Sequence, residues 1–366
     1  MDSYGNLFKV SIFGESHGQS IGCLVDGVPA GTRLHMDLIT TDLARRAPGR
    51  GVWATSRKEV DVPVILSGVV DGKTTGAPIA CIFHNDNIRS ADYADIPLRP
   101  GQADWTALLK YGGHDDRRGG GRFSGRLTAG LVFAGAIAKQ LLAERGIDIY
   151  GRVQSVDGET DDIDLTLETT DGYGRIREYL RKIAEKPFPA ANENEQAFLK
   201  KIITAKYTDD SVGGVVEAVC FGLPPGVGEP FFGSVESRIA SMLFSVPAIK
   251  GVEFGSGFLF AYMHGIAAND PILPTGIKDN YVSKTNHNGG VLGGISNGMP
   301  IIVRAAIKPT ASIALPQDTV DPKTGEATTL VLEGRHDPCI APRAVPVVEA
   351  GMAISLVDLM LEGGLF

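Results

Sequence analysis

The chain has 366 residues, 43% hydrophobic and 21% charged, with a formal net charge of −8. This composition suits a soluble globular protein and argues against a generic nucleic-acid binder, and no unbroken apolar run approaches the ~18 residues of a membrane span. Met1 to Gly5 lacks the basic and apolar regions of a signal peptide, so the expected compartment is the cytoplasm. Cys23, Cys81, Cys220 and Cys339 form no CxxC pair and are expected to be reduced and buried.

Lys9 to Phe13 reads as a strand ending in Gly14, and Gly22 to Val28 as a second, closed by Pro29-Ala30-Gly31. Between them, Gly14-Glu15-Ser16-His17-Gly18 matches the G-x-S-x-G of a hydrolase nucleophile elbow. Only 13 residues precede it, too few for the strands that elbow requires. The better reading is a turn that presents a hydroxyl and an imidazole side by side. His35 to Arg46 reads as a helix stopped by Pro48-Gly49, with Arg45, Arg46, Arg50 and Arg57 forming a basic cluster. Val62 to Val70 and Ala77 to Phe83 read as strands joined by a hairpin. The P-loop-like Gly68 to Thr74 string has one residue too few and leads into a strand, so it carries no phosphate site.

Gly119-Gly120-Gly121-Arg122-Phe123-Ser124-Gly125-Arg126 precedes a long apolar helix, Leu127 to Leu142, and follows Arg117-Arg118. Free N–H groups, a helix dipole and four arginines make a phosphate site; a merely solvated basic loop is the plain alternative. His114-Asp115-Asp116 beside it reads as a polar turn, and no metal-ligand spacing occurs. Asp157 to Asp210 is polar, with helices near 174–185 and 193–206, and looks like a peripheral excursion from one domain spanning 1–366. Val212 to Phe221 and Pro300 to Ile307 read as strands and Ser234 to Phe244 as a helix. A second glycine loop, Gly289 to Gly294, precedes Lys308-Pro309-Thr310-Ala311-Ser312. Gly334-Arg335-His336-Asp337-Pro338 then leads into a second apolar helix, Ala344 to Leu361, which hints at an internal duplication.

Three of these segments, 14–18, 121–129 and 335–338, resemble in order the signature regions of chorismate synthases. So do Val25 to Gly31, Arg45 to Gly49, Arg99-Pro100-Gly101, Ser245 to Gly255, Asn288 to Gly294 and Lys308-Pro309-Thr310. The resemblance implies an α/β (α+β) fold, a β-α-β sandwich with buried central helices between antiparallel sheets. It implies a cytoplasmic homotetrameric lyase of the shikimate pathway that touches neither nucleic acid nor membrane and needs no metal. The reaction is the anti-1,4-elimination of phosphate from 5-enolpyruvylshikimate 3-phosphate to give chorismate, with reduced FMN but no net redox change. In the family's usual account the flavin donates electron density transiently and its N5 takes the C6 proton.

By resemblance, Ser16, Arg46 and Arg99 face substrate. Arg122, Phe123, Ser124, Pro247, Ala248, Gly293, Lys308, Pro309, Thr310, Ala311, Ser312 and Arg335 contact FMN. His17 serves the reduced flavin ring and Asp337 assists proton removal. Clustered arginine in an acidic protein fits a substrate with two carboxylates and a phosphate. Three positions depart from the family. Gln102 replaces its second active-site histidine, with His114 as a substitute donor. Val52 replaces an arginine, for which Arg50 could compensate. Phe123-Ser124-Gly125 stands where Ser-Ser-Ala is common. A monofunctional enzyme is expected, supplied by an external flavin reductase, with NADPH at most an indirect reductant. The alternative is a degenerate member that binds flavin and substrate but turns over poorly because of Gln102.

Overall fold

Two five-stranded antiparallel sheets face each other across a pair of apolar helices. The structure, a computed structural model, describes residues 2–49, 51, 53–54, 60–86, 96–167, 173–278, 280–332 and 336–366. The first sheet holds β1 (Ser3–Tyr4), β2 (Lys9–Gly14), β3 (Ser20–Asp26), β4 (Val64–Ile65) and β5 (Ile79–His84), in the order β1-β2-β3-β5-β4. The second holds β6 (Asp148–Val156), β7 (Glu159–Thr160), β8 (Gly214–Phe221), β9 (Ile249–Phe254) and β10 (Ile301–Ile307), in the order β9-β10-β8-β6-β7. The helices are α1 (Met36–Arg46), α2 (Asp104–Tyr111), α3 (Thr128–Ala143), α4 (Gly174–Ala184), α5 (Asn192–Tyr207), α6 (Val235–Ser245) and α7 (Ala341–Glu362).

The central pair is α3 and α7, with α3 lying on the first sheet and α7 on the second. Both are apolar on nearly all sides because both are covered on nearly all sides. A stretch ending in α3 and the whole of α7 are long and apolar enough to cross a membrane by composition, yet most of each is buried inside the protein. Small residues set the spacing. A Cβ on Gly135 would stand 2.2 Å from Ala350 Cβ, so the two helices cross at backbone contact. A Cβ on Gly130 would meet Cys23 Cβ at 3.1 Å, which fixes the distance from α3 to the first sheet.

Most elements fall where expected, within a residue or two. The strand expected over 62–70 is instead two short pieces, β4 and half of a hairpin (Val69–Val70 with Lys73–Thr74), interrupted at Ser67-Gly68. Gly68 has φ +83°, and the Ser67 hydroxyl donates to the Pro78 carbonyl at 2.8 Å, so the chain turns there. The polar excursion packs back onto the rest of the chain through a few apolar side chains. Leu165, Tyr173, Leu180 and Ile183 bury themselves against Val219, Phe221 and Ile302, forming a small second cluster on the outer face of the second sheet.

Candidate active site

The segment 14–18 is a hairpin turn between β2 and β3, not a strand-to-helix elbow. Ser16 is buried, and its amide donates to the Gly121 carbonyl at 3.1 Å. The arrangement lacks the exposed serine an elbow requires, so the hydrolase reading is excluded. Asn85 donates from Nδ2 to the carbonyls of Glu15 at 3.1 Å and Gly18 at 3.0 Å, which locks the turn.

Above this turn runs the triple-glycine loop. Gly119, Gly120 and Gly121 have φ of 59°, 85° and 50°, so they form a left-handed loop rather than the first turn of α3. A Cβ at Gly121 would lie 1.8 Å from the Asp116 carbonyl oxygen, and one at Gly119 would lie 2.4 Å from His17 Nε2. His17 therefore packs directly beneath Gly119. A separate short 3₁₀ turn, Gly125–Leu127, then leads into α3, capped by the Ser124 hydroxyl, which accepts from the Arg126 amide at 3.3 Å.

A cavity of about 300 Å³ opens at this corner. It gathers Arg46 at the end of α1 and Pro48 just beyond it, Gln102, the 119–128 loop, Pro247 and Ala248 after α6, Lys308 to Ser312 after β10, His336 and Asp337 before α7, and Arg343 in its first turn. Beneath its floor, Asp61 is fully buried between two arginines. Arg46 Nε donates to it at 2.7 Å, and Arg126 forms a second, close ion pair. Burial alone would raise the Asp61 carboxyl, but the two guanidinium groups hold it below the usual carboxylate range. Arg46 also donates to the Gly125 carbonyl at 3.2 Å, and Arg126 to Asn85 Oδ1 at 3.0 Å. The substrate-side arginine is thereby tied to the 14–18 turn through Arg126 and Asn85.

On the opposite wall Asp337 is ion-paired with Arg343, which also donates to the Arg46 carbonyl at 2.9 Å. Burial holds the Arg343 guanidinium below its ordinary range, and Asp337 opposes that shift. The Lys308 ammonium donates to the Gly101 carbonyl, which brings the Gln102 loop against the 308–312 segment. Two buried polar atoms on this wall, His336 Nε2 and Thr310 Oγ1, have no hydrogen-bond partner among the described residues. Ala248 adopts φ +74°, a strained value for a residue with a Cβ, and its carbonyl accepts from the Lys308 amide at 2.9 Å.

Several expected residues lie elsewhere. Arg99 is buried in a bidentate pair with Asp104 (2.7 and 2.8 Å) and does not line the cavity. Of the four arginines around the glycine loop, Arg126 alone lines it. Arg118 pairs with Asp116 at 2.8 Å, while Arg122 pairs with Asp2 and faces a neighbouring cleft of about 590 Å³. That cleft shares Thr128, Val246 and Pro247 with the cavity. Arg45 turns away from Arg46 toward Glu349. His114 is exposed and lines neither space, which removes it as the substitute donor. Gly294 receives the Val235 amide at the start of α6, whereas Pro247 follows that helix's end, so Gly293 is about 16 Å away by helix rise. Arg50, Val52, Arg57, Gly334 and Arg335 lie outside the described residues. No group of three or more metal-ligating side chains occurs among the described residues.

Of the charged and polar lining residues, His336 and Arg343 have no role in the sequence reading, whereas Arg126 counts there as one of the four arginines of the phosphate-site loop. His336 stands inside a recognised motif. Arg343 had no signal beyond its place in the first turn of a helix.

The chain is similar to known proteins along nearly its whole length. The family profile described as chorismate synthase matches residues 8–361. A chorismate synthase of Chitinophaga pinensis is 47% identical over 363 residues, 99% of this chain and 97% of that protein. One of Methanocaldococcus jannaschii is 45% identical over 370 residues, 100% of this chain and 97% of the relative. A crystal structure of a chorismate synthase superposes with a TM-score of 0.74 at 31% identity, over 98% of this chain and 93% of that one.

Proposed function

This chain belongs to the chorismate synthase family, and from that premise we propose that the 300 Å³ cavity is where its reaction takes place. The protein is a carbon–oxygen lyase that converts 5-enolpyruvylshikimate 3-phosphate to chorismate and phosphate, and its family works with a reduced flavin. One observation carries the assignment of the site. Six segments spread from Arg46 to Arg343 converge on one space, with four cations (Arg46, Arg126, Lys308, Arg343) set against two carboxylates (Asp61, Asp337). A cation excess held in a cavity matches a substrate that carries two carboxylates and a phosphate.

The flavin is FMN on this reading. Lys308 to Ser312, Pro247, Ala248, Phe123 and Ser124 would hold it, and the unpartnered Thr310 hydroxyl fits a polar edge of such a group. When bound, the reduced flavin supplies electron density to the departing phosphate. Arg46 and Arg126 bind substrate anions through guanidinium faces already oriented by Asp61, so little ordering remains to be done on binding. Asp337, held by Arg343, lies where a carboxylate can receive a proton. Ser16 and His17 act beneath Gly119, supporting the loop from below. Gln102 lines the cavity with an amide that can hydrogen-bond to a ligand but cannot move a proton. Reduced flavin arrives from a separate reductase, NADPH serves only as an indirect reductant, and the enzyme is a cytoplasmic homotetramer. Exposed Phe231, Phe232, Phe258, Tyr262 and Ile266 support self-association.

Anaerobic assay with photoreduced FMN tests the reading. Chorismate and phosphate are expected in equal amounts. Substrate and flavin binding without phosphate release would instead identify a degenerate member.

A further inference from the structure

We propose that Asn85 is a positioning residue for this reaction, its side-chain amide holding the Ser16-His17 turn in register with the Arg126–Asp61–Arg46 pairing. The inference rests on the assignment of the site made above. It starts from a polar residue at a place where the strand pattern calls for an apolar one. Along β5, Ile79, Cys81 and Phe83 alternate onto the buried face, and Asn85 takes the next inward position just past the strand's end. Its backbone amide still donates to the Gln19 carbonyl at 3.1 Å, which extends the β3–β5 ladder by one residue. A buried carboxamide in such a place needs partners.

Those partners divide by chemistry. Nδ2 donates to the carbonyls of Glu15 at 3.1 Å and Gly18 at 3.0 Å, the residues on either side of Ser16-His17. Oδ1 accepts from Arg126 Nε at 3.0 Å. Two carbonyls demand donors and a guanidinium demands an acceptor, so one orientation of the amide satisfies all three. One planar group thereby spans two parts of the site carried on different elements, the β2–β3 turn and the 3₁₀ turn before α3.

The two ends depend on it unequally. Arg126 has further anchors in Asp61 and in the His84 carbonyl, which accepts at 3.1 Å. Removing the amide takes one bond from Arg126 but two from the turn. Above the turn there is little slack, because a Cβ on Gly119 would stand 2.4 Å from His17 Nε2, and Gly119 lines the cavity. A displaced turn moves the imidazole, and the imidazole presses on the loop above it. Misplacement by about 1 Å can cost ~10²-fold in rate.

The neutral charge of the side chain matters as well. Arg126 already shares Asp61 with Arg46. An aspartate at position 85 would set a second carboxylate on Arg126 and neutralise it. Asparagine orients the guanidinium and leaves its charge for an anionic substrate.

The test compares Asn85→Leu and Asn85→Asp with the wild type in anaerobic turnover with photoreduced FMN, alongside equilibrium substrate binding with oxidised FMN. Asn85→Leu should lower kcat by ~10²-fold with substrate affinity nearly unchanged, since Arg126 keeps its other anchors. Asn85→Asp keeps the shape but gives the turn no donor, so kcat should fall similarly and substrate binding should weaken roughly tenfold. Repeating Asn85→Leu in a His17→Ala enzyme should cost far less than in the wild type, because the imidazole it positions is gone. A separate readout needs no variant: the Asn85 side-chain amide protons, followed in enzyme labelled at asparagine nitrogen, should exchange slowly with solvent.

Unchanged kcat per folded molecule in Asn85→Leu would overturn the proposal, as would an equal loss with and without His17. Freely exchanging Asn85 amide protons would do so even if neither variant folds. A wild type that makes no chorismate would refute the assignment of function itself, a result distinct from an active enzyme indifferent to position 85.

Discussion

Two buried charge clusters lie on opposite sides of Arg45-Arg46, and they are built on different principles. On one side Glu349, fully buried in α7, accepts from Arg45 at 2.7 Å, from Lys139 at 2.6 Å and from the Gly151 amide at 2.8 Å. Asp42 binds the same two cations at 2.9 and 2.8 Å. Two cations meet two carboxylates, and every charge has a partner. On the other side, around Arg46, cations outnumber carboxylates and two polar atoms are left open. Buried charge is expensive unless paired. The closed cluster therefore joins α1, α3 and α7, whereas the open one retains capacity for an anion. Adjacent arginines in one helix turn serve opposite ends because successive side chains point about 100° apart around the helix.

The largest effect that would test this contrast is on stability. Glu349→Gln leaves Arg45 and Lys139 without their shared carboxylate, and breaking a buried pair costs about 3–5 kcal/mol. Chemical denaturation should show that loss, with near-normal turnover per folded molecule. A large fall in turnover at unchanged stability would merge the two clusters into one functional unit. The same group makes stability pH-dependent. Burial alone would raise the Glu349 carboxyl, but Arg45 and Lys139 hold it below its ordinary value in the folded protein. Its stabilisation is thus full above the unfolded glutamate pKa of ~4.3 and is lost as pH falls toward the lower folded value. The Gln variant should lose part of that acid sensitivity.

A smaller effect is expected at Gly119→Ala. Its φ of 59° is unfavourable for alanine, and the new Cβ would collide with His17. A strain of about 1–3 kcal/mol should appear partly in stability and chiefly as lost kcat, because the imidazole must shift. Normal kinetics would show that His17 does not depend on its place beneath the loop. The smallest change is expected for Lys308→Met, which removes one cation from the open cluster but leaves only the Gly101 carbonyl without a donor. Substrate or flavin affinity should weaken roughly tenfold, in keeping with a charge-assisted contact of ~1.5–3 kcal/mol, with little change in melting temperature.

The fold was legible in the sequence where one signal suffices. Residues 127–142 and 344–361 carry so little charge that burial on all sides was the consistent outcome, and both are central helices. The resemblance likewise placed Arg46, Gln102, Phe123, Ser124, Pro247, Ala248, Lys308 to Ser312 and Asp337 in one site, and all of them line one cavity. The glycine loop was readable as a close-approach device, but not as a shelf over His17. Its neighbouring arginines misled because motif proximity says nothing about side-chain direction, and Arg118 and Arg122 found aspartates outside the cavity.

The sequence by itself therefore determined the elements, the family and the residue types that meet an anionic substrate. These follow from local periodicity and from motifs a few residues long. Tertiary structure alone decided which charges are spent on each other and which remain available. Arg45 and Arg46 are chemically identical neighbours, yet one closes on Glu349, 304 residues away, and the other opens on the cavity. Pairing across such separations depends on how α1, α3 and α7 pack, and electrostatic cost in a dry interior depends on every neighbour at once.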